Sequence, residues 1–265
     1  MRNTSGIERL SERFPPPDVT FSAEYADRHR ALVEEAIHAN VITAGELPGF
    51  YGVGFDERVI ELPWALARLR GRTLDAGSAL NHAYVLDHLP ADVSLHIITA
   101  APEPVAFPER GVSYIFGDFR ELPFRDRYYD TVACISSLEH VGMDNARYGG
   151  LPRESDPDAA VEAALREFRR VVADNGRLLL SVPFGAAEDH GWFRQYGPTE
   201  LAALERALDA RSVETTVFAY SRDGWQRSTP QAASHAHYRD AHADPRPAVD
   251  RAAAARAVAC LLARY

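Results

Sequence analysis

The sequence predicts an α/β fold: a doubly wound, mostly parallel seven-stranded sheet with helices on both faces (a Rossmann-like arrangement), preceded by an N-terminal helical cap. The first observation is a series of short apolar segments, most of which end at a small or polar residue. Near-continuous apolar runs are typical of strands that are buried on both faces of a parallel sheet. The second observation is that helical patterns separate several of these segments, which favours βαβ units.

The first predicted strand begins at Arg72 and runs into the turn Asp75-Ala-Gly77, after which a helix is expected to start near Asn81. The pattern of residues 257–262 is ambiguous between helix and strand. We assign it as a final antiparallel strand, because similar folds end in a hairpin beside the fifth strand. The remaining predicted strands are residues 94–99, 112–116, 130–136, 177–182 and 213–220.

The helix before the fifth strand is the best-defined element. Asp156 can cap its N-terminus, and Pro157 occupies the first helical position. Asn175 and Gly176 are expected to end it, with Gly176 as a left-handed cap. The apolar stripe of this helix consists of Val161, Ala164, Leu165, Phe168, Val171 and Val172.

Residues 1–70 are predicted to form a helical cap or lid, and residues 71–265 to form the main domain. Within the cap, residues 24–40 have a helical pattern, and a second helix is expected to start at Asp56. Residues 41–55 are rich in glycine. Such a loop before the first strand can close over a ligand, as mobile lids do.

Composition and charge exclude several classes of protein. The 265 residues carry a net charge of −9, which disfavours binding to a nucleic-acid backbone. The sequence has no apolar run of membrane-spanning length and no signal-peptide pattern, so we expect a cytoplasmic protein without a membrane partner. Cys134 and Cys260 provide no metal or disulfide framework, and Cys134 is expected to be a small buried apolar residue.

The turn after the first strand is the most informative local feature. Gly77 has no Cβ, so backbone N–H groups can approach a ligand closely. Asp75 places a carboxylate at this turn, which suits a positively charged amino-acid group better than a phosphate. Ligands of open parallel sheets bind outside the carboxyl ends of the strands. We therefore expect Gly77, Glu103, Asp118 and residues 136–140 to gather there.

Several short motifs follow one another between residues 72 and 185. They are Leu74-Asp-Ala-Gly77, Gly117-Asp118 with Leu122-Pro-Phe124, Tyr129-Asp-Thr-Val132, Ser137-Leu-Glu-His140, and the unit from Leu165 to Leu180. In this order and spacing they resemble the class I S-adenosylmethionine-dependent methyltransferases. Two flanking pieces, residues 54–58 and 181–185, resemble a bacterial branch that is associated with glycan or natural-product biosynthesis.

The resemblance implies S-adenosylmethionine as the cofactor and gives roles to individual residues. Asp75 and Gly77 would face the methionine part of the cofactor, with Ala76 between them. Asp118 would accept a hydrogen bond from the adenine amino group. Two further residues that the resemblance places at the cofactor are Phe119 and Ser136.

The chain departs from the family pattern at two positions. The carboxylate that grips the ribose hydroxyls normally ends the second strand, but residues 98–102 contain no acid, and Glu103 is the nearest candidate. Ala79 stands where the family usually has glycine. Tyr51 and Arg58 are candidate lid contacts to the cofactor; the alternative is that Tyr51 packs in the core and Arg58 is solvated.

Two loop regions are expected to form the pocket for a small-molecule acceptor, because aromatic and polar side chains cluster there. An alcohol acceptor also needs a base that removes its proton. The candidate bases are His140, just past the fourth strand, and His190. The candidate acceptor contacts are Tyr148, Trp192, Arg194 and Tyr196.

No residue cluster has dependable metal-ligand spacing, so no metal is predicted, although Asp144 and Asn145 near Glu139 leave a magnesium site open. The chain lacks an Asn-Pro-Pro-aromatic motif, which favours an oxygen acceptor such as a sugar or a hydroxylated natural product. Two alternatives stay open: a non-methylating enzyme on the same fold, for aminopropyl transfer or cyclisation, and a non-catalytic binding protein. Homodimerisation is also left open.

Overall fold

The structure is a computed structural model that describes residues 14–15, 17–43, 45–146, 151–241, 244, 246 and 248–265. Within these residues, eight strands form the main sheet and two short strands form a separate hairpin. In chain order the strands are β1 (Arg72–Ala76), β2 (Ser94–Thr99), β3 (Ser113–Phe116), β4 (Tyr129–Ile135), β5 (Val172–Pro183), β6 (Glu188–Asp189), β7 (Arg194–Gln195), β8 (Ser212–Ser221), β9 (Gly224–Ser228) and β10 (Ala257–Arg264).

The main sheet has the order β3-β2-β1-β4-β5-β10-β8-β9. Strands β1 to β5 pair in parallel, which confirms the doubly wound α/β prediction. β10 lies between β5 and β8 and is antiparallel to both, as expected for the final strand. Because β1 to β5 share one direction, their carboxyl ends meet at one edge of the sheet.

The sheet has one strand more than the seven that the sequence predicted. The additional strand is β9, which pairs with β8 in a tight hairpin whose closing residues are Ser221 and Gly224. Trp225 on β9 is fully buried, and its indole Nε1 donates to Phe55 O at 3.1 Å. This strand could not be predicted from the sequence, because its stability comes from packing on distant residues of the N-terminal region.

Six α-helices cover the two faces of the sheet in the described part of the chain. They are α1 (Ala23–His38), α2 (Arg58–Leu66), α3 (Ala83–Leu86), α4 (Pro157–Val171), α5 (Pro198–Ala207) and α6 (Pro230–Ala233). One apolar core joins α1, α2 and α3 to one face of the sheet. A second core joins α4 and α5 to the other face, and Cys134 is buried in it, as predicted.

Helix α4 matches its prediction at the start but not at the end. Asp156 Oδ1 accepts from Ala159 N at 3.0 Å, and Pro157 is the first helical residue. The helix ends at Val171 and β5 begins at Val172, so the strand starts five residues earlier than expected. The left-handed residue is Asn175, with φ +63°, and not Gly176. Asparagine tolerates this conformation better than most residues do.

The N-terminal helices are integrated with the sheet through the first core. Trp64 on α2 and Val258 on β10 are both buried in that core. The amide of Asp56, just before α2, donates to Tyr25 OH on α1 at 2.9 Å. No described helix has the length and apolar character that a membrane crossing requires.

Candidate active site

The residues that directly follow β1, β2, β3 and β4 meet in one cleft at the carboxyl edge of the parallel strands. They are Gly77, Ala100, Gly117 and Ser136. The cleft has a volume of about 230 Å³. Its position agrees with the general rule that open α/β sheets bind ligands outside the carboxyl ends of their strands.

Gly77 allows two chain segments to approach each other at the floor of this cleft. Its φ is +118°, a conformation that residues with a side chain rarely adopt. A Cβ at this position would lie 2.0 Å from Ser137 Oγ and 2.5 Å from Ser137 Cβ. The turn therefore requires glycine because the loop after β4 occupies the space beside it.

Asp75, which the sequence placed at this turn, lies beneath it. The residue is fully buried, and its Oδ2 accepts from Leu80 N at 2.8 Å. Burial raises the pKa of the Asp75 carboxyl to about 7. Ala76 packs in the second core. Among the described residues, Asp75 Oδ1 and Ser78 Oγ are buried without a hydrogen-bond partner. Buried polar atoms are nearly always satisfied, so a ligand or water is expected beside this turn.

Glu103 is not among the residues that line the cleft. Its Oε2 accepts from Asn81 Nδ2 at 3.4 Å, and Asn81 Oδ1 accepts from Tyr114 OH at 2.8 Å. The end of β2 contributes Thr99 and Ala100 to the cleft instead. These two residues carry no carboxylate, which agrees with the absence of an acid from residues 98–102 of the sequence.

Asp118 and Phe119 line the cleft at the end of β3. The Arg120 guanidinium holds the Asp118 carboxylate, with Nη2 donating to Oδ2 at 2.6 Å and Nε to Oδ1 at 3.0 Å. Arg120 Nη1 also donates to Glu154 Oε1 at 2.6 Å. Burial alone would raise the pKa of Asp118, but the bonds from Arg120 outweigh it and lower that pKa. Asp118 is thus an oriented carboxylate with remaining acceptor capacity.

Helix α2 brings a charged pair to the wall of the cleft. Arg58 lines the cleft with 31% of its side chain exposed, and its Nη1 donates to Glu61 Oε2 at 3.2 Å. Ser136, whose φ is +39°, donates through Oγ to Glu61 Oε1 at 2.6 Å. Of the two lid residues named from the sequence, Arg58 therefore lies at the cleft.

The other lid residue, Tyr51, lies in the core and does not line the cleft. Its side chain is fully buried, and its hydroxyl donates to Val59 O at 2.6 Å. Its carbonyl accepts from Trp225 N at 2.8 Å, which ties the N-terminal region to β9. The structure thus shows the packing alternative for Tyr51.

Buried carboxylates gather around Arg58. Glu57 Oε2 accepts from Ala255 N at 3.1 Å, and Glu139 Oε2 is buried without a partner among the described residues. Burial raises the pKa of Glu57 to about 8 and that of Glu139 well above its usual value. In the part of the chain that the structure describes, no three His, Cys, Asp or Glu side chains are placed to hold a metal ion.

The raised pKa of Glu57 predicts a pH-dependent stability. Between pH 4.5 and about 8 the folded protein keeps a proton that the unfolded chain releases, so stability falls as pH rises through this window. Glu57→Gln keeps an acceptor for Ala255 N and removes the titration. We compare the unfolding free energy of Glu57→Gln with that of wild type at pH 5 and at pH 8.5. The difference, variant minus wild type, should increase by at least about 1 kcal/mol from the lower to the higher pH, which corresponds to about 2–4 °C in Tm. Thermal unfolding at both pH values measures this; a difference that does not change with pH would contradict it.

His140 lines the cleft just after β4. Its Nδ1 lies 2.9 Å from Trp192 O, so Nδ1 carries the proton and donates, since a carbonyl only accepts. The ring also stacks on Trp192 at 5.2 Å between centroids. Burial lowers the pKa of His140 to about 4, although the bond to Trp192 O favours the charged form. The imidazole is therefore neutral at physiological pH.

His190 is not among the residues that line the cleft. Its Nε2 lies 3.1 Å from Glu188 Oε2, and its ring stacks on Phe193 at 4.4 Å. Glu188 also accepts from Tyr238 N at 3.0 Å. The structure therefore separates the two candidate bases and leaves His140 at the cleft.

Three of the acceptor contacts named from the sequence are also not among the described residues that line the cleft: Trp192, Arg194 and Tyr196. Trp192 lies behind His140 and contacts it. Arg194 pairs with Asp158 and donates through Nη2 to Pro157 O at 3.0 Å, so it fixes the start of α4. Tyr196 is buried in the second core, and Tyr148 lies outside the described residues.

The cleft includes residues that the sequence analysis did not name as site residues. They include Arg120, Met143, Leu151 and Glu154. Asn145, which the sequence suggested only as a magnesium ligand, also lines the cleft. Asn145 Nδ2 donates to His140 O at 2.7 Å, so its amide fixes the loop after β4 and does not present an oxygen at that contact. No spacing pattern in the sequence marks these lining residues as part of a site. Only the opposite charges of Asp118 and Arg120, two residues apart, indicate a local ion pair.

Part of the chain is similar to a known protein family. A family model described as a methyltransferase domain matches residues 74–180. No curated protein sequence matches the chain. A methyltransferase of Thermotoga maritima is 13% identical, covering 88% of this chain and 98% of its own, with a TM-score of 0.47. The 1,6-didemethyltoxoflavin-N1-methyltransferase of Burkholderia thailandensis is 18% identical, covering 94% and 93%, with a TM-score of 0.46. YcgJ of Bacillus subtilis is 17% identical, covering 77% and 97%, with a TM-score of 0.46.

The matched residues run from β1 to β5 and include each strand end that opens on the cleft. The glycine turn after β1, the carboxylate after β3 and the loop after β4 stand in the order of the family motifs. Residues 74–180 are therefore a class I S-adenosylmethionine-dependent methyltransferase domain.

Proposed function

We propose that this methyltransferase methylates a hydroxyl oxygen of a small-molecule acceptor, with His140 as the general base. The observation that carries the proposal is the position of His140, which lines the cleft with a neutral imidazole whose Nδ1–H is held by Trp192 O. This tautomer makes Nε2 the basic nitrogen. The acceptor proton would pass to Nε2 as the acceptor oxygen attacks the methyl carbon.

The proposed acceptor is a hydroxylated natural product or a sugar. A pKa of about 4 keeps His140 unprotonated at neutral pH, but it also gives the ring a low proton affinity. A general base works best when its pKa lies near the working pH. A phenolic hydroxyl, with a pKa of about 10, needs less help than an aliphatic alcohol. The low pKa of His140 therefore favours an acidic hydroxyl on a natural product.

The residues of the cleft fit S-adenosylmethionine in their chemistry, which supports a proposed orientation. Arg58 in the lining complements the carboxylate of an amino acid, and Asp75, which is buried beneath the Gly77 turn with Oδ1 unsatisfied, is the proposed partner of its ammonium group. Asp118 can accept from an adenine amino group, and Phe119 offers an apolar ring face. When bound, the cofactor supplies an electrophilic methyl group on its sulfonium sulfur. The chain has to align the acceptor with that methyl and exclude water.

We also propose that residues 1–70 act as a cap on the domain of residues 71–265. Two contacts support this division of roles. Arg58 from α2 lines the cleft, and Glu61 from the same helix accepts a hydrogen bond from Ser136 after β4. The cap would thus complete the site and not merely cover it.

The function is tested by calorimetry with S-adenosylhomocysteine, followed by transfer of labelled methyl from S-adenosylmethionine to a panel of hydroxylated and amine compounds. We expect the label on an oxygen, at a rate that a chelator leaves unchanged. Label on nitrogen or carbon would overturn the acceptor class, and product that keeps the donor methyl would point to another reaction. Loss of activity with a chelator and its restoration by Mg²⁺ would make Glu139, Asp144 and Asn145 ligand candidates.

A further inference from the structure

Glu61 is a buried carboxylate that joins two residues of the cleft without lining it. Its side chain is fully buried in α2. Oε1 accepts from Ser136 Oγ at 2.6 Å, and Oε2 accepts from Arg58 Nη1 at 3.2 Å. Each carboxylate oxygen therefore holds one cleft residue, and charge-assisted bonds of this kind are stronger than neutral ones.

Arg58 has a second tether beside Glu61. Its Nη1 also donates to Ile135 O, the last residue of β4, at 3.3 Å. In the described part of the chain, both side-chain hydrogen bonds of Arg58 run through Nη1. The other guanidinium nitrogens thus keep their donors for a ligand in the cleft. A flexible arginine without such tethers would sample many rotamers and would lose more entropy on binding.

Glu57, the N-cap residue just before α2, provides a comparison with Glu61. It is also a buried carboxylate, but it accepts from Ala255 N at 3.1 Å and makes no hydrogen bond to Arg58 or Ser136 among those that the structure describes. The two acids therefore accept hydrogen bonds from different residues, although both lie close enough to Arg58 to raise the pKa of its guanidinium.

We propose that Glu61 is a positioning residue, which aims Arg58 and Ser136 at the amino-acid end of the cofactor. This inference rests on the proposed orientation of S-adenosylmethionine in the cleft. Glu61 does not touch the cofactor itself. It acts through the direction in which Arg58 presents its remaining donors and through the fixed rotamer of Ser136.

Two probes separate positioning from general damage to the site: S-adenosylhomocysteine and 5′-methylthioadenosine, which lacks the amino-acid end. By calorimetry we expect Glu61→Ala to weaken S-adenosylhomocysteine by about 10–100-fold, because bonds to charged groups are lost. Binding of 5′-methylthioadenosine should change less than about 3-fold, since it makes no contact with Arg58. Glu61→Gln removes the charge and leaves one acceptor oxygen, which can accept from Arg58 while the amide nitrogen donates to Ser136 Oγ, so its affinity should lie between those of Glu61→Ala and wild type. Glu57→Gln serves as the matched control and should bind both probes like wild type.

A double-mutant cycle shows whether Glu61 acts through its partner. If Glu61 acts through Arg58, the double variant Arg58→Ala, Glu61→Ala should bind S-adenosylhomocysteine no more weakly than Arg58→Ala alone. A further loss of affinity is expected only to the extent that Glu61 also acts through Ser136. Equal losses for both probes, or losses that multiply in the double variant, would overturn the positioning role. If wild-type protein bound neither probe, the proposed cofactor orientation itself would fail, whatever the variants showed. Thermal unfolding of each variant confirms that it is folded before its affinity is compared.

Discussion

Gly77→Ala is expected to weaken binding of S-adenosylhomocysteine by at least about 100-fold, or roughly 2.7 kcal/mol. The new Cβ would lie 2.0 Å from Ser137 Oγ, and the residue has φ +118°, which disfavours any side chain. Either Ser137 moves into the cleft or the turn after β1 moves away from it. Both movements remove the surface on which we propose that the cofactor lies. Calorimetry with the purified variant measures the loss.

The chain offers a matched control and a rescue for this variant. Gly45 has φ +121° and no heavy atom within 4 Å of the place that a Cβ would take, so Gly45→Ala introduces similar backbone strain without a clash. It should lower the unfolding temperature and leave cofactor affinity unchanged. Adding Ser137→Gly to Gly77→Ala removes the obstructing side chain and should recover part of the affinity. Normal affinity in the folded single variant would show that the turn does not form the cofactor site.

His140→Gln is expected to lower methyl transfer by roughly 10²–10⁴-fold, the range typical of a lost general base. In wild type, His140 Nδ1 donates to Trp192 O at 2.9 Å. The glutamine amide can still donate to this carbonyl, but it cannot accept a proton from the acceptor hydroxyl. Affinity for S-adenosylhomocysteine should change little, because the side chain is proposed to act on the acceptor. Release of S-adenosylhomocysteine, measured on the first acceptor that the panel identifies, gives the rate.

His190→Gln is the matched control, because His190 does not line the cleft and is held by Glu188 at 3.1 Å. It should retain most of the wild-type rate. A large loss in His190→Gln with a normal rate in His140→Gln would move the base to His190. Near-normal rates in both variants would mean that alignment alone, or an acceptor that is already ionised, carries the reaction.

The parallel half of the sheet was predictable because its signals are local. Segments such as β4 and β5 carry continuous apolar runs, at residues 132–135 and 178–180, and their burial on both faces follows from that pattern alone. Asp156 and Pro157 fix the start of α4 through neighbouring backbone groups. The end of α4 and the strand β9 were predicted wrongly, because pairing with β4 and packing of Trp225 on Phe55 decide them.

The sequence by itself predicted the methyltransferase domain, the sheet with its parallel core, and the strand ends at which the cleft lies. These depend on periodicity and on short motifs such as those around Gly77 and Asp118, although the clash that requires glycine at position 77 comes from the distant Ser137. Only the tertiary structure decided which side chains face the cleft. Arg58 reaches it and Tyr51 does not, since packing against β4 and β9 orients the two residues differently. His140 and His190 have the same chemistry in sequence, and only the contacts with Trp192 and Glu188 distinguish them.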